Sequence, residues 1–145
     1  MSAFCSWFWI NCYQIINVVH SFNRDFKTYP DAQETCEKAA LNGFKTGRLV
    51  EPKTRSFNDK VFTATNKFFG LGKSCWIGIR AKGESWVYTS SGTDIVFKNW
   101  RHNTHKKNHL RDCAYSIAAY AGGKGRWAAY NCNSSFKISF ICEFV

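Results

Sequence analysis

The sequence predicts an α+β fold, in which two helices flank small, mostly antiparallel sheets. Apolar residues recur at helical spacing as far as Phe68, whereas short runs of β-branched and aromatic residues follow Gly72. Helices that come first and strands that come later favour this class over one with strictly alternating elements. With 145 residues and 45% hydrophobic content, the chain is predicted to form one domain over 1–145.

Residues 12–19 are rich in β-branched and aromatic side chains and predict the first strand. A helix is predicted over Asp31–Leu41, because Pro30 suits its first turn and Gly43 suits a left-handed cap beyond its end. A second helix is predicted over Thr54–Phe68, where apolar residues form one stripe.

The second half of the chain predicts several short strands separated by turns. A polar loop without apolar periodicity lies between Trp100 and Cys113, and long loops on a rigid scaffold often carry binding residues. The strands are predicted at residues 76–79, 85–88, 95–97, 113–120, 127–132 and 136–144.

The seven cysteines predict a disulfide framework, and hence a secreted, extracellular protein. No Cys-x-x-Cys pair occurs, which disfavours a zinc ribbon or a thioredoxin-like redox site. Since seven is odd, at least one thiol is either free or bonded to another chain. Polar residues interrupt the apolar segment 1–20, so we expect no membrane insertion, and we interpret the chain as mature.

The basic composition predicts an anionic partner without naming one. The chain has 20 Lys and Arg against 10 Asp and Glu, a net charge of +10 at pH 7. Nucleic acid is disfavoured, because the basic residues are spread along the chain and the cysteines indicate an extracellular compartment.

Several motifs follow one another in order between Cys12 and Val145, among them a cysteine in the first helix and a closing pattern of Cys, Trp, Cys and Cys-Glu. The residues are Cys36, Trp76-Ile77-Gly78, Trp86-Val87-Tyr88, Gly92, Asn99-Trp100, Cys113, Trp127, Cys132 and Phe140-Ile141-Cys142-Glu143. This order resembles the C-type lectin-like domain. The resemblance implies a C-type lectin-like fold with a long ligand loop.

The resemblance also implies a disulfide pattern. Two disulfides are expected, Cys36–Cys142 and Cys113–Cys132, and Cys5 and Cys12 look like the N-terminal pair of long-form members. Cys75 is then the odd cysteine, either buried and inert or bonded to a second chain. The opposite assignment, in which Cys5 links two chains, is also open.

Family members that bind sugar usually do so through Ca²⁺, a hard ion that takes about six to eight oxygen ligands. The matching cage positions here carry no carboxylate. They fall on Asn103-Thr104-His105, on Arg111 and on Trp127-Ala128-Ala129, while Asp112 and Glu143 take framework positions. We therefore expect no calcium and no other cofactor.

The loop 101–111 instead holds four formal cations, three of the four histidines and no acidic residue. We predict a site that binds sugar by direct hydrogen bonds, with aromatic stacking. The predicted contacts are Asn103, His105, Asn108, His109, Arg111 and Tyr130. Two alternatives are a solvated basic loop and a Zn²⁺ or Cu²⁺ site at His102, His105 and His109, which the neighbouring cations disfavour.

The resulting functional hypothesis is a secreted lectin that binds carbohydrate without calcium. The expected ligands are N-acetylated hexosamines (GlcNAc or GalNAc) or anionic glycans, bound by a homo- or heterodimer, with an interchain disulfide as one means of linkage. The alternative is a protein- or surface-binding module that uses the basic loop. No catalytic constellation is evident, so we expect no enzyme.

Overall fold

The computed structural model describes residues 12–15, 18–39, 46–68, 74–101, 111–117 and 125–145. In these ranges the chain forms two helices and eight strands. The helices are α1 (Tyr29–Lys38) and α2 (Arg55–Phe68). The strands are β1 (Cys12–Ile15), β2 (Val18–Lys27), β3 (Gly47–Leu49), β4 (Cys75–Lys82), β5 (Ser85–Tyr88), β6 (Cys113–Ser116), β7 (Trp127–Tyr130) and β8 (Ile138–Phe144).

The strands form one mixed sheet in the order β1-β2-β8-β4-β6-β7, with β3 paired to β8 and β5 paired to β4. All of these pairs are antiparallel except β4 with β8, where Cys75 lies opposite Ser139 and Trp76 opposite Phe140. The predicted α+β class with mostly antiparallel pairing is confirmed.

Three elements depart from the sequence prediction by more than a shift of their bounds. The predicted first strand, 12–19, belongs to two antiparallel strands, whose register pairs Ile15 with Val18. The segment 95–97 is not a strand, because the Val96 N–H donates to the Tyr88 hydroxyl at 3.1 Å rather than to a neighbouring strand. The strand β3 was not predicted, because it is too short to show an alternation of apolar and polar side chains.

The core has two parts, one on each face of the sheet. One is built on α1, where Ala32 and Cys36 are buried beside Trp76 of β4. The other contains Val61 of α2 and Trp127 of β7. Each indole is satisfied as well as buried: Trp127 Nε1 donates to Asn58 Oδ1 at 3.1 Å, and Trp76 Nε1 donates to the Lys27 carbonyl at 2.8 Å.

The two implied framework disulfides are present. Cys36–Cys142 joins α1 to β8, and Cys113–Cys132 joins the start of β6 to the segment that follows β7. The proposed pairing of Cys5 with Cys12 lies outside the described residues, since only the backbone of Cys12 is described.

Cys75 is a free thiol that is fully buried. Its Sγ lies 2.8 Å from the Ser116 Oγ, and burial raises the pKa of the thiol to about 12. The structure therefore shows Cys75 in the buried position that one of the two alternatives expects.

A buried charge network confirms that Glu143 takes a framework position. Glu143 is 1% exposed; its Oε1 accepts from Arg48 Nε at 2.8 Å and from the Glu51 N–H at 3.0 Å. Glu51 is also buried and accepts from the Ser90 N–H and hydroxyl, each at 2.9 Å. The network ties β3 and β8 to the turn after β5.

Among the described residues, neither helix combines the length and the apolar character that crossing a membrane requires.

Candidate functional site

A pocket of about 500 Å³ opens beside β6 and β7 and the segment after β7. It brings together two of the predicted site residues, Arg111 and Tyr130. The other four, Asn103, His105, Asn108 and His109, lie outside the described residues. The lining residues are Arg111, Tyr115, Ala128, Ala129, Tyr130, Asn131 and Ser134.

Strand pairing and a disulfide hold this pocket in shape. In the β6–β7 register, Cys113 lies opposite Tyr130 and Tyr115 lies opposite Ala128. Residues directly opposite in an antiparallel pair share one face, so both tyrosines belong to the same face. At the pocket's end, the Asp112 carboxylate accepts the Cys132 N–H at 2.7 Å, which adds to the Cys113–Cys132 disulfide.

Aromatic side chains form a partly exposed platform at the pocket, which we call the aromatic platform: Tyr115, Tyr130 and Phe136. The Tyr130 and Phe136 rings are 44% and 39% exposed, with centroids 4.9 Å apart. Phe136 also contacts Tyr115 at 6.4 Å and the buried Trp76 at 5.9 Å between centroids. The platform therefore rests on the core, although two of its rings face solvent.

The charge at this site is positive. None of the lining residues carries a carboxylate, and Arg111 is exposed, with no salt bridge in the described part of the chain. Burial raises the pKa of Tyr115, while the positive charges of Arg101 and Arg111 act in the opposite direction. Two guanidinium groups thus act on the phenol inside the pocket.

Hydrogen-bonding groups lie on the turn that follows β7. Asn131 Oδ1 accepts the Asn133 N–H at 2.8 Å, and Ser134 Oγ accepts the Phe136 N–H at 3.3 Å. These bonds use acceptor atoms, so the Asn131 amide nitrogen and the Ser134 hydroxyl are donors for a bound molecule. Together with Arg111, the pocket offers donors beside an aromatic surface.

Comparison with known proteins identifies the family. The family model of the lectin C-type domain matches residues 25–144. The chain belongs to this family. C-type lectin domains are binding domains and not a family of enzymes.

Two kinds of relatives agree with this assignment. Tetranectin from Bos taurus is 28% identical over 123 residues, which are 81% of this chain and 55% of the relative, so the chain spans about half of that protein. Among solved structures, human lithostathine superposes with a TM-score of 0.77 at 22% identity, covering 92% of this chain and 88% of that one. The C-type lectin CEL-I from Cucumaria echinata gives 0.79 at 14% identity, covering 93% and 95%. The two structural matches establish the fold.

The described positions that match the lectin domain's calcium cage do not provide a calcium donor set. Arg111 presents a guanidinium, and Ala128 and Ala129 present methyl groups. Asp112, Cys113 and Cys132 do cluster within 4.8 Å, but both sulfurs belong to a disulfide and the carboxylate binds a backbone N–H. The triplet Asn103-Thr104-His105 lies outside the described residues.

Residues that the sequence prediction missed complete the pocket of this lectin domain: Tyr115, Asn131, Ser134 and the supporting Phe136. The available signal was the pair of successive strands predicted at 113–120 and 127–132, because pairing them places Tyr115 beside the second strand. By contrast, Trp127, which belongs to the matching cage triplet Trp127-Ala128-Ala129, is fully buried. Trp100 packs against it, with 5.5 Å between ring centroids.

Proposed function

We propose that this lectin domain binds carbohydrate directly, through the pocket between Arg111 and the aromatic platform, without calcium. The observation that supports the proposal is the exposed Tyr130–Phe136 pair beside the donors of Arg111, Asn131 and Ser134. A pyranose ring has an apolar face that stacks on aromatic rings and hydroxyl groups that accept from such donors.

The proposed ligands are N-acetylated hexosamines or anionic glycans. An acetamido group offers a donor, an acceptor and a methyl group, whereas a sulfate or carboxylate offers charge to Arg111. In the proposal, Asn103, His105, Asn108 and His109 of the loop 101–111 supply further hydrogen bonds, since amide and imidazole groups both donate and accept.

The proposed setting is extracellular, in a protein that carries more than one site. Disulfides persist in oxidising compartments, and two are present here. Single sugar sites bind weakly, so a dimer would raise avidity without any new contact. Since Cys75 is buried, a disulfide-linked dimer would have to use another cysteine, such as Cys5.

A glycan array at physiological salt, with Ca²⁺ and again with EDTA, tests the proposal. Equal binding to a defined sugar in both conditions is the expected result. Binding that disappears in EDTA would contradict direct recognition. Binding to no glycan in either condition would contradict carbohydrate recognition altogether.

Substitutions at Tyr130 connect binding to the pocket. Tyr130→Ala removes the stacking surface, and we expect sugar affinity to fall by about tenfold, since an aromatic contact of this kind contributes about 1 kcal/mol or more. Tyr130→Phe is the matched control and is expected to bind within about threefold of the natural chain, since a single hydroxyl hydrogen bond contributes modestly. Equal binding by both variants would place the site elsewhere.

The second candidate is a module that binds an acidic protein or an anionic surface. The net charge of +10 supports it. Binding by charge alone weakens steeply above about 0.15 M salt, where the Debye length is about 8 Å. The binding of a sugar by stacking and hydrogen bonds is less sensitive to salt, so a salt titration separates the two candidates.

A further inference from the structure

We infer that the pocket selects a sugar that carries a sulfate or carboxylate group, with the anion bound by Arg111 and the ring stacked on the aromatic platform. This inference rests on the proposed carbohydrate function and names the substrate class of that site. Three properties of the pocket support it: its charge, its arrangement and its size.

The charge argument concerns what surrounds Arg111. Its guanidinium is exposed and has no carboxylate partner among the described residues, although Asp112 is its neighbour in sequence. The Asp112 carboxylate accepts the Cys132 N–H at 2.7 Å and so serves the framework. An anionic ligand therefore gains a charge-assisted bond at Arg111 without having to displace an internal salt bridge.

The second positive charge strengthens this preference. Arg101 and Arg111 both act electrostatically on Tyr115, whose side chain lines the pocket. Arg111 is the one charged side chain in the described lining, which holds no carboxylate, so the lining carries a net positive charge. A neutral sugar makes little use of that charge, whereas a sulfate or carboxylate is stabilised by it.

The arrangement separates the anion from the ring. Tyr130 and Phe136 expose 44% and 39% of their surface as adjacent rings, which suits the apolar face of a pyranose. Asn131 and Ser134 lie on the turn after β7 and offer donors to ring hydroxyls. Arg111 lies just before β6, where its planar guanidinium can donate hydrogen bonds to two oxygens of one anionic group.

The size of the pocket sets the scale of the ligand. A volume of about 500 Å³ lies within the usual range for small-molecule sites, so it accommodates one or two sugar units.

One anionic group at one arginine also predicts a shallow salt dependence, because few ions are released when a single charge pair forms. An extended polyanion held along a basic surface would show a steep dependence.

The test uses sugars that differ only in the charged group. N-acetylglucosamine is compared with its 6-sulfate, and glucose with glucuronic acid, by calorimetry on the full chain in 0.15 M salt with EDTA. We expect the charged member of at least one pair to bind about tenfold or more tightly, the size of a charge-assisted hydrogen bond. The two pairs distinguish a sulfate ligand from a carboxylate ligand.

Arg111→Gln should abolish this preference, so that charged and neutral members bind within about twofold of each other. Arg111→Lys should keep only part of it, since an ammonium group lacks the planar fork. Arg126→Gln is the matched control: Arg126 is equally an exposed arginine, but it precedes β7 at the end opposite to Tyr130. This control should keep the full preference.

Each contrary result has a distinct meaning. Equal affinity within both pairs, or a preference unchanged by Arg111→Gln, overturns the inference and leaves the carbohydrate function standing. A preference that Arg126→Gln removes equally overturns it in favour of general charge attraction. Failure to bind any member of either pair, together with an empty glycan array, overturns the inference and the proposed function together.

Discussion

At the scale of single residues, Arg48 has the clearest energetic role. Its Nε lies 2.8 Å from Glu143 Oε1 and 3.7 Å from Glu51 Oε1, and both carboxylates are buried. We predict that Arg48→Met lowers the free energy of unfolding by about 3 kcal/mol, because it leaves buried carboxylates without their main cation. Urea denaturation measures this cost.

The exposed pair Lys38–Glu34 on α1 is the control for that prediction. Lys38→Met should leave the urea midpoint close to that of the natural chain, since surface ion pairs contribute little. Similar losses in the two variants would show that burial does not set the contribution of Arg48.

Cys75 predicts how stability depends on alkaline pH. Burial raises the pKa of the folded thiol from 9.0 to about 12, whereas the unfolded thiol titrates near its ordinary value. Between these values the unfolded state has lost a proton that the folded state keeps, so stability falls as pH rises through this window. The slope contributed by the thiol is at most about 1.4 kcal/mol per pH unit.

Urea midpoints measured from pH 8 to pH 11 on the natural chain and on Cys75→Ala test this prediction. The variant should lose stability less steeply, because the other alkaline groups, Tyr29 included, are common to both chains. At pH 8 the folded natural chain should also leave Cys75 unreacted with a thiol reagent. Rapid labelling of Cys75 at pH 8, or identical slopes, would contradict the burial of this sulfur.

The candidate site shows how far single-residue reasoning from the sequence extends. Arg111 was predicted because its distance from Cys113 matches a cage position, and Tyr130 was predicted because its ring offers a stacking surface for a sugar. Asn131 and Ser134 were not, because their role depends on how a turn folds back beside the strands. Turn conformation of this kind is not encoded by residue spacing alone.

At the scale of elements, predictions succeeded where one local signal dominated. The helix predicted over Thr54–Phe68 is observed over Arg55–Phe68, and the Thr54 hydroxyl accepts the Phe57 N–H at 3.0 Å as an N-cap. The strand predicted at 95–97 is not observed, because its N–H groups bond outside a regular ladder: the Ile95 N–H donates to the Trp86 carbonyl, and the Val96 N–H donates to a side chain. Only Ile95 is buried, whereas Val96 is 79% exposed, so a run of apolar residues determined neither the burial nor the hydrogen bonds of this segment.

The two disulfides allow a comparison of elements by loop size. Cys36–Cys142 spans 106 residues and Cys113–Cys132 spans 19. In the chain-entropy model, their removal costs about 5 and about 3 kcal/mol respectively. We predict that Cys36→Ser with Cys142→Ser unfolds at lower urea than Cys113→Ser with Cys132→Ser.

Sugar binding should follow the opposite order. The Cys113–Cys132 bridge adjoins Tyr130 and Asn131 of the pocket, so its loss should weaken binding even under conditions where the variant is folded. A folded variant without Cys36 and Cys142 should bind sugar within about threefold of the natural chain, which corresponds to a loss of less than about 1 kcal/mol. The reverse order of binding losses would contradict the placement of the site beside β7.

At the scale of the whole molecule, the proposed absence of calcium predicts a thermal stability that does not respond to the ion. A ligand that binds only the folded state stabilises it by about 2.7 kcal/mol at 100 times its dissociation constant, which raises Tm by several degrees in a domain of this size. We expect Tm in 5 mM CaCl₂ and in EDTA to agree within about 1 °C, since the described cage positions offer Arg111, Ala128 and Ala129. Magnesium chloride at equal ionic strength is the control for general salt effects on a chain of charge +10. A rise in Tm that calcium produces and magnesium does not would show that oxygen ligands elsewhere form a cage. In that case Arg111 would lie beside a bound calcium ion and would not replace the ion as the group that binds sugar.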